Sequence, residues 1–439
     1  MAMSAAVSMD EPGLERDLAA WSAAPVPACF PYLPVVGAYH RVGKHFVAAS
    51  LLKHLDVARS ALSESSDTKT SDTKTSDTDP QAPVLAAFLD VLLDKFDERY
   101  DYQTYLALSL LPMPDGGPAP LEAATGGSAQ RQHDRLLVQL GADALAFELA
   151  ALDGHTALFP HLRPDPAVAA KRCRLGLRSL GPALERLGLA RDLEPALRPG
   201  PQDDLLAAAR RICARVRADA SPQERRVVGL TVLPVWISHD EYLFIRVLQA
   251  FETRFALLAV RLRAALAALA IGRPRTAAAE VRNAQAGLEE SFRLFSLLAT
   301  MQVASFQEFR RYTEGASAIQ SRNYKLVESL CRIPDEDRLD SAAYRSVPEL
   351  RERILQGPPS LDDAVWLACR DGELTPAERR DLTGALHGFA ARVVQWRQTH
   401  YSLAVRMLGD RPGTGYTEGT PYLKQVRAVP VFQKTDPDC

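Results

Sequence analysis

The chain carries almost no net charge: 52 lysines and arginines face 54 aspartates and glutamates, which leaves a formal charge of −2. Nucleic-acid-binding proteins usually show a basic excess or a basic stripe, so we expect no nucleic-acid partner. No stretch of about 18 apolar residues is present, and this predicts neither a transmembrane helix nor a membrane partner. The first ten residues contain neither the basic nor the apolar segment of a secretory signal peptide. We therefore expect a cytoplasmic protein.

Cysteines and strand-like patterns are also scarce. The six cysteines include no C-x-x-C pair, which favours reduced thiols over a disulfide framework or a zinc site. Residues 227–235 form the one apolar, strand-like stretch, and Pro234 interrupts it. Alanine, leucine and arginine dominate the remaining sequence. The predicted fold class is therefore all-α.

Helical periodicity divides most of the chain into long segments. It predicts helices over residues 44–62, 82–98, 131–152, 166–187, 203–218, 239–271, 275–300, 304–313, 317–331 and 376–409. Thr375 is the predicted N-cap of the last one. The polar repeat Ser-Asp-Thr-Lys-Thr, at 66–70 and again at 71–75, has no apolar anchor and predicts a flexible insertion over 63–80.

A pair of similar motifs indicates an internal duplication. His133-Asp134 opens one helical segment and His239-Asp240 opens another, and each is followed by a second helix after a turn with proline. A duplicated helical hairpin would produce this order, and so would the low complexity of Ala/Leu-rich helices. His239, at a helix start, is expected to cap the helix or to face solvent, and an acid–base role is the alternative. We divide the chain into an N-terminal helical region (1–225) and a second helical domain (226–439).

The last fifty-odd residues hold the strongest functional signal. His400 lies on a helical segment, and a Gly-Thr-Gly loop follows at 413–415. A neutral imidazole on a helix can bind a metal, and imidazole is a common axial ligand of haem iron. A mobile loop after it can close over a small ligand. The alternative is an ordinary surface or core histidine.

Three separated segments carry a resemblance to a known family: residues 239–248, residues 305–324, and the His400 helix with its loop. In this order and spacing they resemble the tryptophan 2,3-dioxygenase family and its histidine-ligated, haem-dependent relatives, over about residues 231–427. The resemblance implies an all-α bundle of that type. The N-terminal part would then be a helical extension, either a separate addition or a degenerate copy of the first half.

The resemblance also implies roles for single residues at a haem b site. His400 stands where the family places the axial ligand of the iron, and Trp396, Ser317 and Gly415 are expected beside the cofactor. Arg310 stands where the family binds the substrate carboxylate, a role that suits the planar guanidinium. A helix-surface ion pair is the alternative for Arg310.

Further positions correspond to the substrate pocket of the family. Thr414 is expected to contact the amino-acid headgroup. Phe244 and Phe306 are expected to line a pocket for a flat ring, although both could equally be core residues. Tyr102 and Tyr105 resemble a segment that closes the pocket in the family, where a neighbouring chain supplies it, and we expect them to approach a pocket either in the same chain or across a dimer. Accordingly, a homodimer or homotetramer is expected.

One position departs from the family. Leu248 stands where tryptophan dioxygenases have a distal histidine, and leucine can neither donate nor accept a hydrogen bond.

The leading prediction is an oxygenase that uses O₂ on tryptophan or a related aromatic amino acid, opening the indole ring to an N-formylkynurenine type product. Because of Leu248, a haem-dependent monooxygenase or hydroxylase of an aromatic amino acid remains an alternative. A non-catalytic haem-binding protein and a helical scaffold without haem are further alternatives.

Overall fold

A computed structural model describes residues 11–70, 79, 81–114, 126–191, 193–198, 200–357, 359–409 and 419–434. The described residues form helices and turns and contain no β-strand, which confirms the all-α prediction. The helices are α1 (Glu11–Ala23), α2 (Tyr32–Val42), α3 (Ala49–Thr70), α4 (Ala82–Leu92), α5 (Tyr102–Tyr105), α6 (Gly126–Leu152), α7 (Pro166–Arg186), α8 (Leu193–Leu197), α9 (Gln202–Asp219), α10 (Pro222–Leu230), α11 (His239–Ala270), α12 (Pro274–Leu298), α13 (Val303–Phe309), α14 (Arg322–Cys331), α15 (Glu336–Leu339), α16 (Ala342–Arg345), α17 (Pro348–Gln356), α18 (Leu361–Arg370), α19 (Pro376–Leu408) and α20 (Thr420–Arg427).

Helix α11 is the central element of the molecule. Its 32 residues pack against α6, α12, α13, α14 and α18, and most of its side chains are buried. A helix that is covered on nearly every side must bury its polar residues as well, and these then need partners. Two networks of charged side chains supply such partners.

The first network joins four helices. Asp134 of α6 accepts a hydrogen bond from Arg186 Nε of α7 at 2.7 Å. Arg186 also binds Glu290 of α12 at 2.7 Å, and Glu290 accepts a second bond from Arg254 of α11 at 3.0 Å. Each carboxylate is therefore held by charge-assisted bonds from a neighbouring helix.

The second network ties α7 to the start of α11. The Arg172 guanidinium, fully buried, donates to Glu148 at 2.7 Å and to Asp240 at 2.6 Å. His239 Nε2 lies 3.2 Å from the other Glu148 oxygen, and the imidazole is buried. The expectation that His239 caps its helix or faces solvent is therefore wrong, because Glu148 and the Phe147 ring cover it.

The two His-Asp motifs thus have a common structural basis. In each, the aspartate binds an arginine of α7, Asp134 through Arg186 and Asp240 through Arg172.

The helical hairpins α6–α7 and α11–α12 pack together and form one core with α9 and α19. This core contains residues from both sides of position 225, while a smaller core joins α1–α4 with Leu230 and Leu233. The division of the chain at residue 225 stays a prediction.

Two of the sequence predictions concern the ends of helices. Thr375 is confirmed as the N-cap of α19, where it accepts from Glu378 N and Glu378 bonds back to the Thr375 backbone. Helix α3 continues to Thr70, into the predicted insertion over 63–80. A helix that has already nucleated can extend through polar residues at little cost. Residues 71–78 lie outside the described part.

No helix of the described residues is both long and apolar enough to cross a membrane.

Candidate functional site

A large cavity lies between α11, α12, α13, α14, α19 and α20, with α5 on one side. The empty space within it, including its mouth, is about 1690 Å³, and its wall is mostly apolar. Most of the residues singled out above line it, namely Tyr102, Tyr105, Phe244, Leu248, Phe306, Arg310, Ser317, Trp396 and His400. Thr414 and Gly415 lie outside the described residues.

His400 is the only histidine in the described wall of this cavity. Its ring lies beside Trp396 (5.3 Å between centroids) and Phe295 (6.4 Å) on the inner side of α19. Burial lowers the pKa of His400 to about 4, so the imidazole is neutral at pH 7. A neutral imidazole with an available nitrogen is the form that binds a metal.

Aromatic rings form the wall around His400. Trp396, one helical turn before it, contacts Phe251, Phe255 and Phe295 at centroid distances of 5.8, 5.3 and 5.3 Å. The Trp396 indole nitrogen is buried and has no hydrogen-bond partner among the described atoms. Such surroundings suit a large, flat, apolar group.

Another part of the cavity wall combines aromatic rings with one cation. Phe244 contacts Phe306 at 5.7 Å and Phe309 at 5.3 Å, and Leu248 follows one turn later on the same face of α11. Arg310 is half-buried at the end of α13, where a short 3-10 turn (Arg310–Tyr312) begins. The phenyl rings and the guanidinium therefore border the same cavity, which combines an apolar surface with a cation.

Helix α5 closes the cavity within the same chain. The Tyr102 backbone N–H donates to Gln320 Oε1 at 3.0 Å, and the Tyr105 hydroxyl donates to Glu241 at 3.1 Å. Burial raises the pKa of both phenols well above the ordinary value. Gly315 lies so close to Tyr100 that an added Cβ would come within 2.7 Å of the Tyr100 carbonyl oxygen. Both tyrosines thus keep their protons and hold fixed positions.

Several wall residues have no counterpart in the sequence predictions. Glu252 lies one turn after Leu248 on α11, accepts a bond from Asn323 Nδ2 at 3.0 Å, and has a pKa raised by burial to about 7. Lys325, Arg397 and Arg427 also line the cavity. The four-residue spacing from Leu248 marks Glu252 as a residue of the same helix face. Arg397 lies three residues before His400 on α19, which is a comparable signal. For Lys325 and Arg427 no such signal exists, because their helices reach the cavity only in the tertiary structure.

The chemistry of the wall fits a haem better than a bare metal ion. Among the described residues, no group of three or more His, Cys, Asp and Glu side chains could hold a metal ion. A metal held here would therefore need most of its ligands from a cofactor, and a porphyrin supplies four ring nitrogens. His400 offers one further nitrogen, and the aromatic wall matches the flat ring system.

Comparisons with known proteins agree with the resemblance seen in the sequence. The chain is 27% identical over 227 residues to a tryptophan 2,3-dioxygenase of Burkholderia pseudomallei, covering 44% of this chain and 74% of that protein. It is 28% identical over 234 residues to a tryptophan 2,3-dioxygenase of Burkholderia lata, covering 45% and 75%. No protein-family model matches the chain. These similarities support a distant relationship to proteins named tryptophan 2,3-dioxygenase.

Proposed function

We propose that this chain is a haem-dependent oxygenase of tryptophan or a related aromatic amino acid. The observation that carries the proposal is His400: a neutral imidazole on the wall of a large aromatic cavity, in a chain related to tryptophan dioxygenases. His400 would hold haem b through its iron. Bound there, the haem supplies O₂ binding and the oxygen chemistry.

The protein residues bind and orient the substrate in this proposal. Arg310 pairs with its carboxylate, and Thr414 contacts its headgroup. Phe244, Phe306 and Leu248 hold the aromatic ring, while Tyr102 and Tyr105 close the wall and keep water out. Holding the ring and the carboxylate at once replaces a bimolecular encounter by an oriented one.

Ring opening of an indole takes up both atoms of O₂ and needs no further reductant. Insertion of a single oxygen atom is the second candidate, favoured by Leu248, since an indole N–H that faces leucine has no partner. With O₂ as oxidant, that reaction also needs a two-electron reductant, because the second oxygen atom leaves as water. The product mass after exposure of the ferrous protein to ¹⁸O₂, with a reductant supplied, distinguishes the two: ring opening retains two labelled atoms, whereas hydroxylation retains one.

The experiment for the cofactor compares two histidines of one helix. His400→Ala should abolish stable haem binding, seen as loss of the Soret band after gel filtration of the haem-loaded protein. His387→Ala, an exposed residue of α19, should leave the band unchanged. An unchanged Soret band in His400→Ala contradicts the proposal. Haem binding without substrate-dependent O₂ consumption, for any aromatic amino acid tested, would favour the non-catalytic alternative.

A further inference from the structure

The charged residues of the cavity wall are strongly unbalanced. Its described lining includes five cations and a single carboxylic acid, Glu252, whose pKa is raised by burial. The cations are Arg310, Lys325, Arg338, Arg397 and Arg427. An apolar cavity with this excess of positive charge attracts an anionic ligand.

Two of the five cations are already compensated. Arg338 and Arg397 lie 3.1 and 3.7 Å from the oxygens of the buried Glu328 carboxylate. The Tyr344 hydroxyl donates to the same carboxylate at 3.0 Å. These two guanidiniums are therefore tied to a charge partner behind the cavity wall, and their main role is structural.

Lys325 lacks such a partner. Its side chain is 2% exposed, and Nζ donates to the backbone carbonyls of Ile319 and Ser321. No ion pair joins Lys325 to a carboxylate of the described residues, and burial lowers its pKa to about 7 against the opposing charges of Glu328 and Glu252. A carboxylate ligand in the cavity would add a direct counter-charge and favour the ammonium form.

Arg427 is the second cation without a carboxylate among the described residues. It ends α20, donates to Gln398 Oε1 at 2.6 Å and lies over the Tyr401 ring at 4.8 Å. Gln398 and Tyr401 lie on α19 two residues before and one residue after His400; neither lines the described cavity, whereas Arg427 itself does. Arg427 is thus held against the helix that carries the candidate iron ligand, with capacity left for a carboxylate.

We propose that Lys325 and Arg427 bind the two propionate carboxylates of the haem. This assignment rests on the proposed function. Haem carries both carboxylates at one edge of its ring, so binding of these carboxylates by two cations would orient the whole porphyrin. The assignment leaves Arg310, at the end of α13, in the role that the proposed function gives it, at the carboxylate of the amino acid.

The test compares haem with its dimethyl ester, which has the same ring but no carboxylates. Both porphyrins are titrated into apoprotein, and the Soret absorbance gives the affinities. The wild type should bind haem at least tenfold more tightly than the ester, since charge-assisted bonds are the stronger ones. Lys325→Met and Arg427→Met should each weaken haem binding about tenfold and leave ester binding unchanged.

A matched control variant and a folding check by circular dichroism test whether any loss of haem affinity is specific to Lys325 and Arg427. Lys424→Gln removes an exposed cation of α20 and should leave both affinities unchanged. If Lys325→Met fails to fold by circular dichroism, the Arg427→Met result, on the half-buried surface of α20, decides. Equal wild-type affinities for haem and ester, or variants that lose both porphyrins equally, would overturn the assignment alone. A wild type that binds neither porphyrin would overturn the proposed function as well.

Discussion

At the residue scale, Arg172 shows how a buried charge determines local structure. Its guanidinium donates to Glu148, Asp240 and Thr300, from α6, the start of α11 and the end of α12. Burying an ion is costly, and only a complete set of partners offsets this cost. The position of His239 follows from the same network, because Glu148 serves both side chains.

Arg172→Met should therefore destabilise the protein strongly. The change leaves two buried carboxylates without a cation, which costs about 3–5 kcal/mol of unfolding free energy. Urea denaturation followed by circular dichroism measures this loss. Lys171→Met, at an exposed neighbouring position, should change the unfolding free energy by less than about 0.5 kcal/mol. Similar values for the two variants would contradict the importance of the network.

Leu248 leads to a prediction about specificity. Leu248→His should place a hydrogen-bond partner next to the substrate ring and tighten tryptophan binding about tenfold relative to phenylalanine. Equilibrium titration of the haem-loaded protein with both amino acids measures this ratio. Leu248→Met keeps an apolar side chain of similar size and should leave the ratio unchanged. If the histidine variant behaves like the methionine variant, Leu248 does not face the ring.

At the element scale, helix α19 has a well-capped N-terminus and carries His400, the candidate iron ligand, in its second half. The capping box of Thr375 and Glu378 satisfies the first backbone N–H groups, and His400 follows about seven turns later. The helix is amphipathic only in part, and tertiary contacts with α12, α13 and α20 stabilise the remainder. A substitution at the N-terminus of α19 should therefore change the unfolding free energy without changing haem binding at His400.

Two substitutions in α19 should have opposite effects. Thr375→Ala removes the cap and should lower the unfolding free energy by about 1 kcal/mol. Gly384→Ala adds a Cβ that meets no atom within 4 Å and should raise it by up to about 1 kcal/mol through helix propensity. Thermal denaturation checks both signs. Haem affinity should stay constant in both variants; a parallel loss of haem would show that the helix start positions His400.

At the scale of the whole molecule, histidines with a lowered pKa link stability to pH. Burial lowers the pKa of His133 and of His400 to about 4, and it also lowers the pKa of His40. In the unfolded chain each has a pKa of about 6.5, so the unfolded state binds more protons between pH 6.5 and 4. The contribution of these groups is therefore fully present above pH 6.5 and is lost as the pH falls towards 4.

The apoprotein should accordingly lose unfolding free energy between pH 6.5 and pH 5, by up to about 1.4 kcal/mol per pH unit for each histidine. Urea denaturation across this range gives the slope. His400→Leu removes one of these groups, so its slope should be shallower than that of the wild type. Equal slopes in the two proteins would show that the His400 imidazole is not buried in its neutral form.

Segments that are distant in the sequence close the cavity. Helix α5 and the segment 315–320 meet within one chain, through Tyr102, Gln320 and the close approach of Gly315 to Tyr100. The described wall is thus assembled from elements more than 200 residues apart without a second chain. A homodimer or homotetramer stays a prediction, and so do the roles of Thr414 and Gly415.

The sequence by itself determined the helical class, the N-cap of α19, and the set of residues that resembles an oxygenase site. These features depend on local periodicity, on capping chemistry and on motif order. Only the tertiary structure decided that His239 is buried, that Glu252 lines the cavity, and that Lys325 and Arg427 face the same space. The reason is physical: burial and the balance of charge depend on which helices pack together, and residues distant in sequence decide that packing.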